Sequence, residues 1–169
     1  MVLDSSAGAP DHPWCGIDLE VYERHMSDAR VGQLQRLREI TAEQLRAYPA
    51  RTVGVLGVAG GNGLDVIDAE QTAAVYGWDI NPDYLAMCDA RYRDRFGDRM
   101  HLIEASISRA MRIEAVELLI ANLIVEYVGV DEFAAFVGAN ATSIGVLSCV
   151  IQRNDGAGFV SSTWCDPRG

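Results

Sequence analysis

At 169 residues, with 49% hydrophobic and 22% charged residues, the chain has the size and composition of one domain with a buried core. Its 14 basic residues are outnumbered by 24 acidic ones, a net charge of −10, which leaves no basic footprint and excludes nucleic acid and anionic membrane surfaces as expected partners. All 14 basic residues are arginines, so chemistry that needs a lysine, as a P-loop ligand, a Schiff base or a general base, is excluded as well.

The stretch from Met1 to Pro10 carries an early acid and no long apolar run, so it is not read as a secretory signal. Residues 1–16 read as a flexible arm broken by Pro10, Pro13 and Gly16, with Trp14 as an anchor. From Asp18 the pattern turns helical: Leu19, Tyr22, His25 and Met26 fall at three- and four-residue spacing on one face. A second helix is predicted from about Gln33 to Tyr48, with Leu34, Leu37, Ile40 and Leu45 as its buried stripe and Pro49 as its stop. Residues 17–50 are therefore expected to form helices that cover whatever site the following core carries.

Val53 to Leu56 has the length and β-branched bias of a buried strand, and it opens into a loop holding Gly57, Gly60, Gly61 and Gly63. Glycines allow positive φ and close backbone approach, so the loop is suited to present N–H groups to a flat or charged ligand. A short helix over Leu64–Ile67 and a turn capped by Asp68 with Gln71 lead to a second apolar strand, Ala73 to Trp78, that ends at Asp79. Asn81 caps a helix opened by Pro82, whose apolar positions Tyr84, Leu85, Cys88 and Tyr92 run on to about Phe96. A third strand is predicted near Met100–Glu104, an irregular or helical piece over Ser106–Ile113, and a fourth strand over Val116–Ala121 ending at Asn122. A helix beginning near Asp131, with Phe133, Phe136 and Val137, precedes a fifth strand over Gly145–Ile151 and a glycine-bearing loop at Asn154–Gly158. The apolar stretch around Leu118–Val130 is interrupted by Asn122 and Glu126 and is too short to span a bilayer.

This alternation predicts an α/β fold: a doubly wound, mainly parallel, Rossmann-like sheet with helices on both faces, built from residues 51–169. In such a sheet ligands bind beyond the carboxyl ends of the strands, where strand order reverses. Asp79 follows Gly57 by 22 positions, the distance at which a second-strand acid takes the vicinal hydroxyls of an adenosine ribose. A carboxylate accepts both hydroxyls at once, so replacing Asp79 is expected to remove binding and leave the fold intact. The alternative for Asp79 is an acid at the N-terminus of the helix that Pro82 opens. The alternative for Asn122 is a strand-terminal side chain that satisfies local backbone groups. Cys15, Cys88, Cys149 and Cys165 lack C-x-x-C spacing and His12, His25 and His101 are scattered, so free thiols are expected and no metal site.

Val-Leu-Gly-Val-Ala-Gly-Gly-Asn-Gly, Gly-Trp-Asp-Ile-Asn-Pro and Leu-Leu-Ile-Ala-Asn-Leu resemble, in order, motifs of the class I S-adenosylmethionine-dependent methyltransferases over about residues 52–152. The resemblance implies S-adenosyl-L-methionine as cofactor, with Gly57, Ala59 and Gly61 along its methionine end, Asp79 on the ribose, Ile80 against the adenine, Ser106 near the adenine amino group and Asn122 facing the reacting centre. The sequence departs from the family's pattern in three places: Val55 stands where an acid is usual, Ala59 replaces the second loop glycine, and Ser106 stands where aspartate is common. Asn122 is followed by Leu123-Ile124-Val125 and not by the Pro-Pro-Tyr of enzymes that methylate amino groups of nucleic-acid bases or protein glutamine, which with the acidic charge implies a small-molecule acceptor. If that acceptor must lose a proton, Tyr22, His25 and Glu126 are the candidates.

Two other readings stand beside it. A nicotinamide-dependent oxidoreductase would share the sheet and the second-strand acid, but its fingerprint needs glycines at 57, 59 and 62, where the chain has Gly57, Ala59 and Asn62. A non-catalytic cofactor-binding or interaction protein fits the missing acid at Val55. The family continues past the fifth strand with a helix and two more strands, for which the 18 residues from Gln152 to Gly169 are too few. The fifth strand is thus expected to be an apolar sheet edge, covered by further chain or by homo-oligomerisation. A cytoplasmic location is the expectation.

Overall fold

The computed structural model describes residues 17–28 and 32–152; the arm at 1–16 and the loop at 154–158 lie outside the described residues. The elements are α1 (Leu19–Ser27), α2 (Gln33–Ala47), β1 (Thr52–Leu56), β2 (Ala74–Asp79), α3 (Pro82–Phe96), β3 (Met100–Glu104), β4 (Val116–Asn122), α4 (Val125–Val128), α5 (Val130–Ala139) and β5 (Ile144–Val150). All five strands are parallel, in the order β3-β2-β1-β4-β5. The chain steps outward from β1 through β2 to β3, then crosses to the other side of β1 for β4 and β5. Strand order therefore reverses between β1 and β4, which is where an open α/β sheet offers a crevice.

Side chains on a strand alternate between faces, and here both faces are covered. Val53, Val75, Leu118 and Ile120 join Leu85, Cys88 and Phe96 of α3 in one buried cluster, while Leu56, Trp78, Leu119 and Ala121 join Val125, Phe133 and Phe136 of α4 and α5 in a second. This two-sided burial is why β1 and β4 read as continuous apolar runs. β5 pairs on one side only, with β4, and its apolar residues are half-buried, as an outer strand of the described sheet.

Most element positions follow local signals. The Asn81 side chain accepts hydrogen bonds from the N–H groups of Asp83 (3.0 Å) and Tyr84 (3.3 Å), and Pro82 is the first helical residue. Asp68 accepts the Glu70 N–H (2.9 Å) and a Gln71 side-chain N–H (2.7 Å), closing a turn and not a helix. The piece over 106–113 is irregular, and the buried Asn140 side chain satisfies it by accepting the Ile113 N–H (3.1 Å) and donating to the Met111 carbonyl (3.0 Å).

The helix expected near Asp131 starts at Val130, and a separate short helix, α4, precedes it, because Gly129 at φ 86° breaks the two apart. One expectation needs correction. The α2 stripe of Leu34, Leu37, Ile40 and Leu45 is only half-buried, and the buried residues of α2 are Thr41 and Gln44. Leu34 and Leu37 face a cavity instead of a packed core. Among the described residues no helix is long and apolar enough to cross a membrane.

Candidate functional site

A cavity of about 330 Å³ lies over the carboxyl ends of β1, β2 and β4, roofed by α1 and α2, within the size range of small-molecule sites. Its floor is the glycine loop. The N–H groups of Gly57 (2.8 Å) and Val58 (3.1 Å) donate to the Trp78 carbonyl, so the loop is fastened to the end of β2 as it leaves β1. Gly57 sits at φ 66°, and a Cβ there would come within 2.7 Å of the Ile124 side-chain terminus. Gly57→Ala is expected to lower unfolding free energy by about 1–2 kcal/mol, the cost of a left-handed backbone on a residue with a Cβ, because the Ile124 methyl can move aside. Urea denaturation measures it; no change would mean that the loop relaxes without cost.

Two non-glycine residues also have positive φ, Ala59 at 46° and Leu123 at 57°, and both line the cavity. Backbone strain of this kind collects at functional sites, where the surrounding structure holds it in place. Leu123 is fixed by its N–H, which donates to the Val150 carbonyl at 2.8 Å.

Asp79 lies between the loop and α3. Its carboxylate accepts the Ala59 N–H (2.8 Å) on one oxygen and the Asn81 N–H (3.0 Å) on the other. Since Asn81 is the helix cap, Asp79 does not cap α3 and instead ties the glycine loop to the end of β2. The expectation that Asp79 can be removed without touching the fold is corrected here, because two backbone N–H groups would lose their acceptor.

Asn122 lines the cavity at the end of β4, and its amide is held by Gln44 in a reciprocal pair. Gln44 donates to Asn122 Oδ1 (2.9 Å) and accepts from Asn122 Nδ2 (3.0 Å), while its second N–H donates to Ser148 Oγ of β5 at 2.9 Å. This network joins α2 to β4 and β5 and fixes the plane of the Asn122 amide. Gln44 is not legible as a site residue in the sequence because it interrupts an apolar stripe, and nothing local says what it meets 78 residues away.

Of the other sequence candidates, Ile80 and Ser106 line the cavity, while Gly61 does not: it packs against Tyr92 and Cys88 of α3, with its N–H on the Val58 carbonyl at 2.9 Å. Of the three candidate proton acceptors, only Tyr22 lines the cavity. Burial, together with Tyr127, Tyr84 and the carboxylates of Asp79 and Glu23, pushes the Tyr22 phenol up to about 12. At neutral pH the phenol keeps its proton and serves as a donor, not as a base. Its ring stacks on Tyr84 at 6.3 Å, and the Tyr84 hydroxyl donates to the Ile17 carbonyl (2.8 Å), which seats the start of α1.

His25 and Glu126 do not line the cavity. His25 sits on a neighbouring face of α1, because the helix turns Tyr22, Glu23 and Met26 inward. Glu126 Oε1 accepts the Gln152 N–H, and its Oε2 is buried with no hydrogen-bond partner among the described residues. Besides Gln44, sequence reasoning missed Glu23, which lines the cavity and whose neighbour Tyr22 was the available signal. Among the described residues no group of three or more His, Cys, Asp or Glu could hold a metal ion.

No family model and no curated protein matches the chain. Solved structures do. Magnesium protoporphyrin IX methyltransferase (ChlM) from Synechocystis PCC 6803, with bound S-adenosylmethionine, aligns at TM-score 0.61 and 16% identity over 83% of this chain and 74% of that one. CalS10 from Micromonospora echinaspora, an amino pentose methyltransferase with the same cofactor bound, aligns at TM-score 0.58 and 22% identity over 81% of this chain and 58% of its own. DesVI from Streptomyces venezuelae aligns at TM-score 0.61 and 16% identity over 80% of this chain and 58% of its own. The chain thus spans less than two thirds of the length of CalS10 and of DesVI. Identities this low establish a shared fold.

Proposed function

We propose that this chain, which has the fold of the class I S-adenosylmethionine-dependent methyltransferases, binds S-adenosylmethionine and transfers its methyl group to a small-molecule acceptor. The observation that carries the reading is the join between the glycine loop and Asp79 at the point where strand order reverses, beneath a cavity of small-molecule size. The residues present fit the cofactor. Asp79 at the end of β2 would take the ribose diol, Ile80 and Ser106, which line the cavity, would face the adenine, and the positive-φ loop lets a ligand come close to its backbone.

When bound, the cofactor supplies the activated methyl group. The chain's own residues then have to orient donor and acceptor and keep water out. Gln44 holds Asn122 rigid at the reacting end, and Tyr22 is a neutral phenol that donates a hydrogen bond. Met26, Leu34, Leu37, Tyr127 and Val128 give the acceptor side an apolar wall, which favours a small acceptor with an apolar body. Of the structural neighbours, ChlM and CalS10 are themselves named for small-molecule acceptors.

Thermal unfolding with S-adenosylhomocysteine tests the assignment. At about 100 times Kd, binding to the folded state adds about 2.7 kcal/mol, which for a domain of this size raises Tm by roughly 5–11 °C. No shift with this ligand, beside a clear shift with a nicotinamide dinucleotide, would transfer the fold to the oxidoreductase reading.

A further inference from the structure

We propose that Glu23 of α1 holds the α-ammonium group at the amino-acid end of the bound cofactor, an inference that rests on the cofactor reading above and assigns one of the ligand's charges to one residue of this chain. S-adenosylmethionine and S-adenosylhomocysteine both carry a ribose diol at one end and an α-ammonium and carboxylate at the other. An ammonium group taken into a half-buried site needs an acceptor, and a carboxylate makes the strongest one. Among the described residues only two carboxylates line the cavity, those of Asp79 and Glu23. Asp79 stands at the end of β2 with its oxygens on Ala59 and Asn81, so with Asp79 on the diol, Glu23 is left for the ammonium. Val55, in β1 below the loop, offers no charge.

The Glu23 carboxylate is also held in place before any ligand arrives. Arg91 of α3 donates Nη1 to Oε1 (2.5 Å) and Nη2 to Oε2 (2.8 Å), and the same Nη1 donates to the Gly60 carbonyl at 3.1 Å. A Cβ at position 60 would fall 2.6 Å from Glu23 Oε1, 2.5 Å from Arg91 Nη1 and 2.7 Å from Leu19 Cδ2. The side-chain ends of Leu19 and Glu23 thus lie directly against the loop at Gly60. Arg91 uses one lone pair on each Glu23 oxygen, which leaves two for an ammonium group. A preorganised acceptor of this kind loses little on binding.

Calorimetry with two ligands separates this role from that of a simple fastener between α1 and α3. S-adenosylhomocysteine carries the ammonium, whereas 5′-methylthioadenosine keeps the adenosine and lacks the amino-acid end. Glu23→Gln should weaken S-adenosylhomocysteine by about ten- to a hundredfold and leave 5′-methylthioadenosine within about twofold. Arg91→Gln, which loosens the acceptor but keeps its charge, should change the ratio of the two affinities by less than Glu23→Gln does. Equal losses for both ligands in Glu23→Gln, or the same change of ratio in Arg91→Gln, would reduce Glu23 to a fastener and overturn the assignment. A parent protein that binds neither ligand would overturn the cofactor reading and this inference together.

Discussion

Trp78→Ala is expected to lower the unfolding free energy by about 3–5 kcal/mol, the usual cost of truncating a buried aromatic side chain. Trp78 is 2% exposed and belongs to the core cluster under α4 and α5. Its ring stacks on Tyr76 at 5.8 Å and lies so close to β1 that a Cβ on Gly54 would come within 2.9 Å of it. The same indole lines the ligand cavity, so its loss joins the core void to the cavity instead of letting the core collapse around it. Against a domain stability of about 5–15 kcal/mol, this is a large share, and urea denaturation will read it as a drop in midpoint. Val130→Ala is the control: Val130 is 71% exposed, and its truncation is expected to stay within about 0.5 kcal/mol. A loss below about 1 kcal/mol for Trp78→Ala would mean that the indole is not packed as described.

Asp79→Ala combines two losses. The Ala59 and Asn81 N–H groups lose their carboxylate, which is expected to destabilise the ligand-free protein by about 1–3 kcal/mol. In the proposed cofactor site the ribose diol would lose its acceptor too, which is expected to weaken S-adenosylhomocysteine by about ten- to a hundredfold. Thermal unfolding without ligand reads the first effect and calorimetry with the ligand reads the second. Unchanged stability with reduced affinity would show that water satisfies the two N–H groups. Unchanged affinity would remove Asp79 from the proposed ribose site.

The parts of the site that were legible in the sequence are those whose cause is local. The glycine loop follows β1 because the chain must turn there with positive φ. Asp79 ends β2 where the apolar run ends, and Asn81 with Pro82 starts α3 through contacts two and three residues apart. The parallel sheet follows from strands alternating with helices, which forces crossovers. Ala59 reads in the sequence as a tolerated departure, and the structure adds its left-handed φ and its N–H on Asp79, neither of which is visible in the residue type.

The helical period of α1 gave a stripe but not its rotation toward the sheet. Tyr22, Glu23 and Met26 face the cavity, and His25 does not, because Leu19 and Glu23 settle against Gly60 and Arg91. The Glu23–Arg91 pair spans 68 residues and the Gln44–Asn122 pair spans 78. By itself, then, the sequence determined which strands form, where they end and which backbone must bend, since φ preference, capping and side-chain alternation act over a few residues. The tertiary structure alone decided which polar side chains of α1 and α2 point into the cavity and which charges they meet there. Those choices depend on how a whole helix sits on the sheet, and that is set by packing between residues far apart in the chain.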